Sequence, residues 1–224
     1  MADKDEIRLF VVGDIQTNCY AYVSAGECLV VDPGASGARI AEALADVQVT
    51  QIVATHRHHD HVGGVRALVE ATGAPWAISA DDAELAVRSL EVSSHDLSFV
   101  IGDLSNPPEP DRLLVEGDVV EVGTARFEVL AAPGHTPGGI VLLGHGSAEG
   151  VAFVGDTIFA GGCGRCDLLG GDWSAMARTL ARLSRLIDPT VTLLCGHGPG
   201  TTMGHEIATN PYMQPGAERE SAAG

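Results

Sequence analysis

Thr55-His56-Arg57-His58-His59-Asp60-His61-Val62-Gly63-Gly64 follows the apolar run Val49 to Ala54 and precedes a helical pattern. His56, His58, Asp60 and His61 put four metal-capable side chains within six residues. An extended backbone points residues two apart the same way, so His56 and His58 share a side, while the following turn aims Asp60 and His61 at a second point. A separation of about 3.5–4 Å between the two points is that of two-metal sites. Imidazole and carboxylate suit zinc, iron or manganese. A solvated polar loop is the competing reading, but histidine clusters of this density are rare without a metal.

Three later residues extend the set. His135 in Pro133-Gly134-His135-Thr136-Pro137-Gly138, Asp156 in Gly155-Asp156-Thr157 and His197 in Gly196-His197-Gly198-Pro199 each stand just after an expected strand, with glycine alongside. Glycine permits sharp turns and close backbone approach. Ligands on strand ends along one edge of a scaffold are what a multi-ligand site requires. The seven residues together read as one metal-binding set.

Away from the ligands, Ile7 to Val12, Cys19 to Val23 and Cys28 to Val31 read as an antiparallel meander punctuated by Gly13-Asp14, Gly26-Glu27 and Asp32-Pro33-Gly34. A helix capped by Ser36 carries Ile40, Ala43, Leu44 and Val47 on one face, and Val49 to Ala54 is a buried strand. Val62 to about Ala71 is expected as a helix, Pro75 to Ser79 as a strand, and Asp81-Asp82 as the acidic start of another helix. Residues 91–117, with Asn106-Pro107-Pro108-Glu109-Pro110, read as an irregular surface loop that borders the site. Strands resume at Val119 to Val122, Arg126 to Ala131, Ile140 to Leu143 and Val151 to Val154, then a helix from Trp173 to Ile187, a strand from Val191 to Cys195 and a Gly/Pro-rich tail. Trp173, Met176, Leu180, Leu183 and Ile187 form a core-facing stripe. Two halves, each running from strands to a helix, imply an α+β fold of two packed sheets with helices outside. We expect one domain over 1–224 with a short tail from about residue 200.

Composition narrows the chemistry. The chain has 224 residues, 30 acidic and 13 basic, for a net charge of −17. Such a surface repels phosphate backbones and anionic lipid, so neither nucleic acid nor membrane is expected as a partner. Lys4 is the only lysine, which excludes a P-loop lysine and leaves no Schiff-base candidate. No Gly-x-Ser-x-Gly elbow is present. The longest apolar run is far short of a membrane span and the start is charged, so a cytoplasmic location is expected. Five scattered cysteines, an odd number, argue against a disulfide framework, and Cys163 and Cys166, spaced C-x-x-C without a second pair, read as structural. His59 is read as facing solvent or backing the ligands, and His95, His145 and His205 as surface residues.

His56-x-His58-x-Asp60-His61, His135, Asp156 and His197 match, in order and spacing, the signature of the metallo-β-lactamase-fold hydrolases, and the chain resembles that family over nearly its whole length. The resemblance implies a four-layer αββα sandwich with a binuclear site at one edge. It places His56, His58 and His135 on one metal and Asp60, His61 and His197 on the other, with Asp156 bridging. Asn18-Cys19-Tyr20, Val31-Asp32-Pro33-Gly34, Gly155-Asp156-Thr157-Ile158-Phe159, Gly164-Arg165-x-Asp167 and Thr209-Asn210-Pro211 look most like the short glyoxalase II group, hydrolases of hydroxyacyl-glutathione thioesters. Longer members carry a C-terminal helical domain that helps hold glutathione, whereas 27 residues follow His197 here, so the thiol carrier is left open.

The resemblance implies two divalent ions, zinc first with iron or manganese as alternatives, and a small thioester substrate for a monomer or homodimer. Zinc lowers the pKa of bound water to about 7, so a bridging hydroxide can attack the carbonyl without a protein nucleophile, with Asp60 both ligating and orienting it. Arg165 is the candidate for pairing a substrate carboxylate, against a structural pairing with Asp167. Tail packing is the expected role of Asn210 and Tyr212. Persulfide dioxygenases resemble the chain too, through Gly162-Cys163-Gly164-Arg165-x-Asp167, and would hold one iron on His56, His135 and Asp156. A lactone or ester hydrolase is a further alternative.

Overall fold

The structure is a computed structural model that describes residues 5–96, 103 and 105–214. The first half lays down β1 (Glu6–Val12), β2 (Thr17–Ser24), β3 (Glu27–Val31), α1 (Gly37–Ala43), β4 (Gln48–Val53), α2 (His59–Val62), α3 (Val65–Thr72), β5 (Trp76–Ser79), α4 (Ala80–Ala86), α5 (Ser89–Asp96) and β6 (Arg112–Leu114). The second half adds β7 (Val119–Val122), β8 (Ala125–Ala131), β9 (Ile140–Gly146), β10 (Val151–Gly155), α6 (Trp173–Leu186), β11 (Thr192–Cys195), β12 (Thr201–Thr202) and α7 (Met203–Thr209).

The strands form two six-stranded mixed sheets, ordered β1-β2-β3-β4-β5-β6 and β12-β11-β10-β9-β8-β7. Period-two alternation sorts β2 between two cores: Cys19, Ala21 and Val23 face Ile40, Leu44, Val65 and Leu68 of the helices, while Tyr20 and Tyr22 face the other sheet. Between the sheets Tyr22 meets Phe127 edge-on at 5.0 Å, and Phe153 lies 5.3 Å from Phe127 and 5.5 Å from Tyr20. Each such side chain contributes about 1.5–3 kcal/mol by leaving water. On the far side Met176, Leu180 and Leu183 of α6 cover Val141, Val154 and Leu193. The layers are therefore helix, sheet, sheet, helix, as the alternation of the two halves implies.

Three local readings need correction. The expected helix from Val62 is two helices, α2 and α3, broken at Gly63-Gly64, because the Asp32-Pro33-Gly34 turn presses on this point: a Cβ on Gly34 would stand 1.4 Å from the Asp60 carbonyl oxygen. Ser36 occupies the N-cap of α1 but with φ 60°, and its side chain makes no capping bond. The stretches read as loop and tail contain α5, β6, β12 and α7, held by tertiary contacts rather than by pattern.

Strand ends set the site. β3 and β4 run parallel, and so do β10 and β11, so Asp32, Thr55, Asp156 and His197 emerge at neighbouring carboxyl ends. Backbone bonds stitch the two sheets together there: Ile140 N–H to the Thr55 carbonyl at 2.9 Å and Asn18 N–H to the Gly196 carbonyl at 2.7 Å.

Candidate metal centre

All seven expected donors converge on this edge, in three overlapping groups: His56, His58 and His135; His56, His61 and Asp156; Asp60, His61 and His197. Within each, the ligating atoms lie within 4.8 Å of one another. His58 Nδ1 and His135 Nε2 are 2.8 Å apart, and the His56 and His61 rings 4.1 Å. Asp156 stands between the groups, with Oδ1 3.4 Å from His61 Nε2 and Oδ2 3.5 Å from His135 Nε2 and 3.6 Å from His197 Nε2. Asp60 Oδ2 is 3.2 Å from both His61 Nε2 and His197 Nε2.

Hydrogen bonds on the far side of the rings fix which nitrogen looks inward. His135 Nδ1–H donates to the Arg165 carbonyl at 2.6 Å, leaving Nε2 with its lone pair toward the centre. Thr55 Oγ1 donates to Asp32 Oδ2 at 2.8 Å and so accepts from His56 Nδ1 at 3.1 Å, freeing His56 Nε2. Asp32 Oδ1 accepts from Thr55 N–H at 2.6 Å, and its Oδ2 lies 3.0 Å from His61 Nδ1.

Charge is arranged for a cation. Burial, reinforced by neighbouring imidazoles, holds His56 and His58 well below the ordinary histidine value, so both are neutral and need lose no proton to ligate. Burial pushes His61 down too, but Asp60, Asp156 and Asp32 outweigh it and hold it well above the ordinary histidine value, the mark of a strongly negative pocket. Burial likewise pushes Asp60 up, and His61 with His197 more than reverses this. His56 Nε2, His61 Nε2 and Asp156 Oδ1, all turned toward the centre, are buried without a hydrogen bond. Such atoms cost about 1–3 kcal/mol each when left unpaired. A pair of divalent ions at the points these atoms face fits the donors present.

Other expected residues fall differently. His59 is buried, not solvent-facing: Nδ1 is 2.9 Å from Ser89 Oγ and Nε2 2.5 Å from the Asp103 carbonyl oxygen, which ties the metal motif to α5. Arg165 is half-exposed and bonded bidentately to Asp167 at 2.7 Å through Nε and Nη2. Cys163 and Cys166 are free thiols. Asn210 is buried and bonds the Gly162 carbonyl and Glu206, while Tyr212 stacks on Trp173 at 6.1 Å. His145 pairs with Glu128 and His205 is exposed, as read; the side chain of His95 lies outside the described residues.

Sequence reasoning missed the residues behind the ligands. Thr17 Oγ1 donates to Asp60 Oδ2 at 3.0 Å, and Asn18 Nδ2 holds the Cys195 and Gly198 carbonyls on either side of His197 at 3.0 and 2.8 Å. Phe159 stands edge-on to the His197 ring at 6.1 Å. Asp32 was visible as part of a turn signal and of a family-like stretch but was given no role; its place at the end of β3, beside the motif-bearing β4, was the clue.

Residues 12–197 match the metallo-β-lactamase superfamily, and the chain belongs to it. It is 39% identical over 208 residues to an uncharacterized protein of Aquifex aeolicus, spanning 92% of this chain and 96% of that one. It is 30% identical over 212 residues to the hydroxyacylglutathione hydrolase GloC of Haemophilus influenzae, spanning 92% and 97%. Among solved structures it is similar to the BLEG-1 B3 metallo-β-lactamase (TM-score 0.82, 28% identity, 94% and 100% covered) and to a di-iron-bound form of TTHA1623 (0.80, 33%, 92% and 99%). It is also similar to ETHE1 from Myxococcus xanthus, with TM-score 0.72, 25% identity and 92% and 83% covered. No helix among the described residues is long and apolar enough to cross a membrane.

Proposed function

We propose that this protein is a two-metal hydrolase of small acyl thioesters. The observation that carries the reading is Asp156, whose two carboxylate oxygens face different histidine groups, Oδ1 toward His61 and Oδ2 toward His135. One carboxylate so placed serves two ions. His56, His58 and His135 hold the first position, and Asp60, His61 and His197 the second. Ions held there, zinc first with iron or manganese as alternatives, would supply a hydroxide nucleophile at neutral pH and polarise a carbonyl.

The chain's own part is positioning. Asp60 Oδ2, fixed by Thr17, is the group placed both to ligate and to orient an attacking hydroxide through a hydrogen bond. Phe159 gives the His197 side an apolar wall. Arg165 is the cation on the loop that follows Asp156, and a substrate carboxylate reaches it in competition with Asp167. The likeness to a hydroxyacylglutathione hydrolase along 97% of that chain supports a thioester, whereas the thiol carrier is a matter for assay. The substrate partner is thus a small molecule, and neither nucleic acid nor membrane is invoked.

The test is thiol release from a panel of 2-hydroxyacyl thioesters of glutathione and of other low-molecular-weight thiols, with Asp60→Ala as control. We expect turnover that a chelator abolishes and a fall of at least about tenfold in Asp60→Ala, which loses both a metal donor and the group that orients the nucleophile. Oxygen consumption with a persulfide, and no thioester turnover, would replace this reading with the iron dioxygenase.

A further inference from the structure

Asp82 ligates nothing and lies in α4, remote in sequence from every donor, yet it is wholly inaccessible and faces the first metal position from behind. Four donors converge on its carboxylate. Oδ2 accepts from Arg57 N–H at 3.1 Å and from Thr136 Oγ1 at 2.6 Å, and Oδ1 accepts from Gly138 N–H at 3.0 Å and Arg57 Nη1 at 3.2 Å. Arg57 is the residue between His56 and His58, and Thr136 follows His135 directly. One side chain therefore binds both loops that carry the three histidines of this position. The fit is close: a Cβ on Gly138 would come within 2.7 Å of Asp82 Cγ. Arg57 extends the link, because its Nη2 donates to the Leu169 carbonyl in the loop that also carries Arg165. The second position draws on Asp32, Thr17 and Asn18, of which Asp32 also reaches His56 through Thr55, whereas the bonds of Asp82 go only to the loops of the first.

We infer that Asp82 is the positioning residue of the first metal position, setting the spacing of His56, His58 and His135 so that an ion is held there independently of the second. Groups that orient ligands typically govern metal affinity by 10–100-fold. The division of supports makes the effect selective: losing Asp82 loosens one ion and spares the other.

This inference rests on the two-metal reading, and the experiment separates the two. Wild-type protein, Asp82→Asn and Thr136→Val are loaded with zinc, and metal release is followed by competition with a chromophoric chelator, alongside the thermal midpoint. In wild type we expect two ions released at similar chelator concentrations. In Asp82→Asn we expect one ion released at roughly 10–100-fold lower chelator strength with the other unchanged, and thioester turnover restored by excess zinc. Thr136→Val removes only the 2.6 Å bond and leaves the Arg57–Asp82 pair, so it gives the same selective release, smaller in size, and decides the matter if Asp82→Asn does not fold. A lowered midpoint with both ions held as in wild type, or equal weakening of both, overturns the positioning role. A wild-type chain holding a single ion sinks the two-metal reading, yet Asp82 is still judged by whether that ion loosens in the variants.

Discussion

Asp32 Oδ2 lies 3.0 Å from His61 Nδ1, with both side chains buried and Asp32 at the left-handed φ of 54°. The same carboxylate takes the Thr55 N–H and hydroxyl, so one residue of the β3 turn fixes the ring of a metal ligand and the start of the metal motif. Asp32→Asn keeps the shape and removes the charge beside His61. We expect metal affinity at the second position to fall about 10–100-fold, measured by chelator competition. Unchanged affinity would mean that His61 is oriented by packing alone.

Gly34→Ala tests the close approach of that turn. Its Cβ would stand 1.4 Å from the Asp60 carbonyl oxygen, which is backbone and cannot swing away. Overpacking of this kind costs about 1–3 kcal/mol. For a chain of this size that is a fall of roughly 2–12 °C in thermal midpoint. Turnover should drop further than the midpoint suggests, because the displaced segment carries Asp60 and His61; a variant as active and as stable as wild type would show that the turn is free to move.

Arg165 is held by Asp167, and the hydrogen bond from the guanidinium draws the Asp167 carboxyl down to about 2. A depressed carboxyl pKa stabilises the pair above the ordinary value near 4, and the contribution is lost as pH falls through about 2, so the pair persists at any neutral pH. Asp167→Asn should therefore release Arg165 toward substrate. The expected result is a lower KM for thioesters whose acyl group carries a carboxylate, little change for neutral ones, and an unaltered midpoint, since both side chains are exposed. Equal KM changes for both substrate types would remove Arg165 from the substrate contacts.

The thiols should be inert. Burial pushes Cys28, Cys163, Cys166 and Cys195 up to about 12 and Cys19 well above its ordinary value. At pH 7.5 a thiol raised that far above the ordinary value of about 8.5 is almost wholly protonated. Native protein should react slowly with an aromatic disulfide reagent and release its full thiol count on denaturation. Rapid reaction of a Cys163–Cys166 pair in the native state would restore the redox reading of that C-x-x-C spacing.

How much of this was visible beforehand follows the range of the interactions. The His56 to His61 cluster and the strand-terminal His135, Asp156 and His197 were legible because metal chemistry demands those residue types at those spacings, and the sheets because short β-rich runs are set off by turn signals such as Gly13-Asp14 and Gly26-Glu27. Asp82 and Thr17 were not, since an acidic residue in a first helical turn and a threonine opening a strand look ordinary until the fold sets them behind ligands 24 or more positions away. α7 escaped because Glu206 is buried against the Gly161 N–H, Thr201 and Asn210, contacts that no local pattern announces. For His59 the choice between solvent and support behind the ligands stayed open for the same reason: its partners, Ser89 and Asp103, lie 30 and 44 residues on.

The most direct measurement is the metal-to-protein ratio by elemental analysis of protein purified with neither added metal nor chelator. The two-position arrangement around Asp156 predicts close to two ions per chain, zinc or a mixture with iron or manganese, falling toward one in Asp82→Asn. A ratio near one, with iron alone, would contradict it.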